Sequence, residues 1–134
     1  MENEFVTYTQ ALALKELGFD ESCFGYYVDK TGEDVTIYTV SQVQCSINSM
    51  SVHFNINNGY PSSQFSAPLK QQVFRWFREN HSLNHMIDMN FRTNNYITQL
   101  WKGRECFFNE HSIKTYEESE SACIDKLIEI VKKK

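Results

Sequence analysis

No run of apolar residues in this chain approaches the roughly 20 needed to cross a bilayer as a helix, which excludes a helical membrane span. None of the four cysteines, Cys23, Cys45, Cys106 and Cys123, stands in a C-x-x-C pair, so the common zinc and redox spacings are missing. Residues 1–6 are acidic and polar where a secretory leader is basic and then apolar. The expectation is a cytoplasmic protein with reduced thiols and no membrane partner. No catalytic motif occurs along the chain.

A length of 134 residues suits one domain with a substantial core, and 1–134 is read as a single domain. Ten Phe, seven Tyr and two Trp can fill that core without disulfide or metal. The net charge is −4, and with the cationic tail Lys132, Lys133 and Lys134 set aside the first 131 residues carry −7. Acidity on that scale argues against non-specific nucleic-acid binding, which depends on neutralising phosphates.

Three helices are legible. Thr7 with Gln10 makes a capping box, Ala11, Leu14 and Leu17 an apolar edge, and Gly18 with Phe19 a Schellman-type ending, which predicts a helix over 8–17. In the central segment Leu69, Val73, Trp76 and Phe77, widened by Phe74, form a stripe for burial, with Gln71, Arg75 and Arg78 facing away. Ser66 is read as the cap of this helix and Pro68 as part of its first turn. Thr115 and Glu118 repeat the capping box, and Ile124, Leu127, Ile128 and Val131 predict a helix over 116–132. Glu117, Glu118 and Glu120 suit the positive end of that helix.

Between the helices the periodicity turns to two. Residues 23–28 and 35–40 predict a hairpin around the polar turn 29–34, and Val52, Phe54 and Ile56 alternate in a third strand over 51–56. Segment 41–50 is ambiguous, and 57–63 reads as a loop. Ile87, Met89 and Phe91 alternate over 86–91, with 96–101 returning as the partner strand across 92–95, and 106–108 reads as a short further strand. The fold class is therefore α+β, with antiparallel strands in two hairpin regions covered by three helices, in the order α-β-β-(β)-α-β-β-(β)-α.

The segments FVTYTQALALKELGF (5–19), APLKQQVFRWFRE (67–79) and TYEESESACIDKLIEIVKK (115–133) resemble a family of small uncharacterised bacteriophage proteins. The resemblance covers the helices and not the strands between them. It implies a phage or prophage origin, and it brings no catalytic residue to this chain. Ser119 and Ser121 stand where the family is richer in alanine, a departure that touches helix propensity alone.

His81 and His85 are four apart, but Asn80 and Asn84 mark the end of a helix there, and no metal or cofactor is expected. Cys23 and Cys123 fall in strand and helix patterns that bury inert thiols. The constellation with functional reach is aromatic and cationic. Trp76 and Phe77 belong to the core stripe, and Tyr26 and Tyr38 offer further ring faces. The expected ligand contacts are Tyr96 and Trp101 for stacking, and Arg75, Arg78, Arg92 and Arg104 for phosphates.

With the phage resemblance, these residues point to a non-enzymatic accessory, anti-defence protein that sequesters a nucleotide-type immune signal in the host cytoplasm, its site completed at a homo-oligomer interface. The alternative is a protein-interaction module that inhibits a host enzyme. An enzyme acting on the same nucleotide is the third reading.

Overall fold

Local capping chemistry fixes the first element. A computed structural model describes residues 4–28, 36–39 and 64–133, and in it α1 runs Tyr8–Glu16. Both arms of its capping box are made: the Thr7 hydroxyl accepts from the Gln10 amide at 3.2 Å, and Gln10 Oε1 accepts from the Thr7 amide at 3.0 Å. At the other end Gly18 takes φ +92°. The Phe19 amide then donates to the Leu14 carbonyl at 3.0 Å and the Gly18 amide to Lys15 at 3.1 Å, the two bonds of a Schellman ending.

The described elements are α+β, grouped in two compact units, Met1–Leu69 and Lys70–Lys134. In the first, β1 (Gly25–Val28), β2 (Thr36–Thr39) and β3 (Gln64–Ala67) form an antiparallel sheet in the order β2–β1–β3. Gly25 pairs with Thr39 on one side and Ala67 on the other. Helix α1 lies against β3, and the Tyr27 hydroxyl donates to the Val6 carbonyl at 2.8 Å. The expected strand over 51–56, the ambiguous 41–50, the 57–63 loop and the 29–34 turn lie outside the described residues.

Ser66 and Pro68 do not open the central helix. Ser66 is buried inside β3, and Leu69 bridges to Phe5, so the chain stays extended until α2 begins at Lys70. The reason is steric and cooperative: a residue before proline is held out of the helical region, and pairing with β1 already holds Ala67 extended. Pro68 contributes its carbonyl, which accepts from the Val6 amide at 3.1 Å.

The second unit runs α2 (Lys70–His81), β4 (Asn84–Asn90), β5 (Asn95–Lys102), β6 (Glu105–Ile113) and α3 (Tyr116–Lys132). Its strands form an antiparallel meander, β4–β5–β6. Val73, Phe74, Trp76 and Phe77 of α2 are buried, as are Cys123, Ile124, Leu127 and Ile128 of α3, whereas Arg75 and Arg78 are exposed. The two helices pack on each other and on the sheet. The Thr115 hydroxyl caps α3 by accepting from the Glu118 amide at 3.1 Å.

Two strand expectations change. Phe91 does not continue the β4 face; it sits in the 91–94 turn, 83% exposed. The turn begins there because the Asn90 carbonyl accepts from the amides of Thr93 and Asn94, with Asn94 at φ +58°. The short strand over 106–108 is nine residues long, with register irregularities between Tyr96 and Thr98 and between Leu100 and Trp101 that disrupt its period of two.

Trp76 is 6% exposed on the face opposite to Arg75. Trp76→Ala is expected to cost about 3–5 kcal/mol in urea denaturation, and Arg75→Ala no more than about 0.5 kcal/mol. A Trp76→Ala protein as stable as the parent would remove the stripe from the core.

Candidate functional site

Strand β5 is central in its sheet, and successive side chains on it point to opposite faces. Thr98 and Leu100 are fully buried on the inner face. Tyr96, on the same face, meets Tyr116 of α3 edge-on at 5.9 Å. His85, paired with Leu100, stacks on Phe74 of α2 at 3.7 Å and 10°. Both helices of this unit therefore cover the inner face.

Ile97, Gln99 and Trp101 take the other face. Register places Asn84 beside Trp101, Met86 beside Gln99 and Asp88 beside Ile97, with Asn109 of β6 on the far side of Gln99. Asn84, Met86, Asp88 and Asn109 are exposed, and Ile97, Gln99 and Trp101 are half-buried. Trp101 Nε1 donates to Gln99 Oε1 at 3.2 Å, and Gln99 Nε2 donates to Asn109 Oδ1 at 3.2 Å. The indole is thus tethered with its one donor satisfied, which leaves its ring face as its means of recognition. The β5–β6 turn, Gly103-Arg104, carries the exposed Arg104 beside this face, whereas Lys102, the last residue of β5, falls with Thr98 and Leu100 by alternation and pairs with Glu105.

The expected ligand residues are only partly brought together. Trp101 and Arg104 share one end of the sheet. Arg92 lies in the hairpin at the opposite end of β5, about 26 Å away along the strand. Tyr96 is on the covered face. Arg75 and Arg78 are on the exposed side of α2, and Tyr26 is on β1 in the first unit. Sequence reasoning missed Gln99 and Asn109. The first follows from strand parity, but Asn109 requires the full length of β6.

His81 and His85 stand on different elements: His81 ends α2 with its ring 5.0 Å from Trp76, while His85 begins the β4 contact with Phe74. No cluster of three His, Cys, Asp or Glu suited to a metal occurs among the described residues. Cys23 and Cys123 are buried and Cys106 is exposed. Burial, aided by Glu120, pushes the Cys123 thiol up to about 12, so it is unreactive near neutrality; Cys45 lies outside the described residues. Glu117 and Glu118 are exposed in the first turn of α3, but Glu120 is buried and accepts from Gln71 Nε2 at 2.8 Å. Its role is to join α2 to α3 rather than to serve the helix dipole.

A groove of about 310 Å³ is lined by Phe107 of β6 and by Lys126, Glu129, Ile130 and Lys133 at the end of α3. Glu129 accepts from Lys126 at 3.1 Å and Lys133 at 2.7 Å, which holds its carboxyl below the ordinary range. These contacts are exposed and contribute little to stability.

Charge is strongly segregated along the chain. Residues 1–69 contain two Lys and Arg against eight Asp and Glu, a net of −6, whereas residues 70–134 contain eleven against nine, a net of +2. With the Lys132–Lys134 tail set aside, most of the net acidity lies in residues 1–69, and residues 70–131 carry −1. Comparison with protein-family models, curated proteins and solved structures finds no match.

Burial, and then the nearby Arg78 charge, hold the His85 imidazole below its ordinary 6.5. The unfolded chain binds this proton more readily, so the stabilisation is complete above about 6.5 and is lost as pH falls from there toward the folded value. His85→Phe, which retains a ring against Phe74, is expected to lose less Tm than the parent between about pH 7.5 and 5.5. Equal losses in the two proteins would remove His85 as the source.

Proposed function

We propose that this chain is a non-enzymatic binding protein, a phage accessory factor that withholds a nucleotide-type immune signal in the host cytoplasm, and that the ligand meets it at Trp101. The carrying observation is the tethered Trp101 indole on an exposed sheet face beside Arg104. Stacking of a base on an aromatic ring contributes about 1–3 kcal/mol. Arg104 supplies phosphate contacts through its forked donor set. The perturbed groups elsewhere have packing roles: His85 stacks on Phe74, and Cys123 is a buried thiol. That pattern favours binding over chemistry.

A second reading, a protein-interaction module that inhibits a host enzyme, is favoured by the form of the same face. Met86 is 44% exposed beside Ile97 and Trp101, and an aromatic anchor amid apolar and amide groups suits a flat protein interface.

Intrinsic fluorescence separates the two readings, because Trp76 is buried and Trp101 is accessible. AMP, ATP and cyclic nucleotides are expected to quench Trp101 saturably, with weaker binding in Arg104→Gln and no quenching in Trp101→Leu. A host enzyme held by the parent and released by Trp101→Leu, with no nucleotide quenching, would replace the first reading with the second.

A further inference from the structure

An exposed face covers one side of a stacked base and leaves the other in water, whereas small-ligand sites bury about 70–90% of their ligand. Affinity on such a surface comes from repetition, as several bases and phosphates each make a modest contact along a track. The β4–β5–β6 sheet has the parts of a track at both ends. One hairpin offers Trp101 and Arg104, with the acid Glu105 next in the chain; the other offers Phe91, 83% exposed, followed directly by exposed Arg92. Between them, Ile97, Gln99, Met86 and Asn109 give apolar and amide contacts, and Asp88 is the acid among them. Complementarity to a chain of phosphates is local, through Arg104 and Arg92 at the two ends, since residues 70–131, without the Lys132–Lys134 tail, carry −1.

We infer that the nucleotide-type ligand is an oligonucleotide rather than a single nucleotide, laid along β5 with a base on Trp101 and phosphates at Arg104 at one end and at Arg92 at the other. The inference rests on the assignment of Trp101 as a nucleotide contact. A span of about 26 Å requires roughly four nucleotides or more, at the lower limit of sites on single-strand-binding sheets. A free oligonucleotide signal and a stretch of single-stranded nucleic acid present this chemistry alike.

The probes are AMP, a four-nucleotide oligoadenylate and a twelve-nucleotide oligoadenylate, titrated against Trp101 fluorescence at several salt concentrations. The tetramer is expected to bind at least about tenfold more tightly than AMP, through the added contacts. Arg92→Gln should weaken the tetramer, lower the slope of log K against log salt by about 0.7, and leave AMP unchanged. Asp88→Asn should strengthen the tetramer. A twelve-nucleotide strand no tighter than the tetramer identifies a short free ligand, and a markedly tighter one identifies a longer strand; both support the extended site. AMP binding as tightly as the tetramer, or an Arg92→Gln protein identical to the parent, overturns the inference while the Trp101 contact stands. Absence of quenching by all three probes overturns the Trp101 assignment itself. Substitutions at exposed Arg92 and Asp88 should leave the melting temperature near that of the parent.

Discussion

The alternation of β5 is the constraint on which the second unit depends. Tyr96, Thr98 and Leu100 turn inward beneath α2 and α3, so Ile97, Gln99 and Trp101 must turn outward. A slip of one residue would exchange the two sets, exposing Leu100 and driving Trp101 and Gln99 beneath the helices. Burial of Leu100 against elements carrying Phe74, Phe77, Ile124 and Leu127 therefore also fixes the orientation of the half-buried indole. Core packing and ligand presentation are consequences of one register.

The outer surface is ordered by polar contacts that the core does not supply. Trp101 donates to Gln99 and Gln99 to Asn109, linking β5 to β6 across the sheet. A ring held this way has less rotational freedom to lose when a planar ligand stacks on it, which favours binding through preorganisation. Arg104 follows on the turn where Gly103 takes φ +59°, a conformation that glycine adopts readily. Charge segregation adds a broader bias, since eleven of the thirteen Lys and Arg lie in 70–134.

Elements governed by nearest neighbours were legible in the sequence. The Thr7–Gln10 box, the Gly18 ending and the Val73–Phe77 stripe each encode their structure within a few residues. The start of α2 was not, because Ser66-Ala67-Pro68 fits both a helix cap and an extended approach to proline, and pairing with β1 decides between them. Strand β6 was truncated in the reading because its irregularities break the alternation. At the site, residue type singled out Trp101 and Arg104, while parity separates Tyr96 from Trp101 at five positions apart. Asn109 depends on pairing between strands, and the Gln71–Glu120 contact spans 49 positions; no local pattern encodes either.

The central claim is that recognition occurs on the outer face of β4–β5–β6. Amide and indole NMR resonances of the full chain, followed during titration with the four-nucleotide oligoadenylate, test it most directly. The account predicts that the largest shifts fall on the Trp101 Nε1–H, the Gln99 and Asn109 side-chain amides, Asn84, Met86 and the two hairpins around 92 and 103. Shifts concentrated on Arg75 and Arg78 of α2, or within residues 4–28, would contradict it.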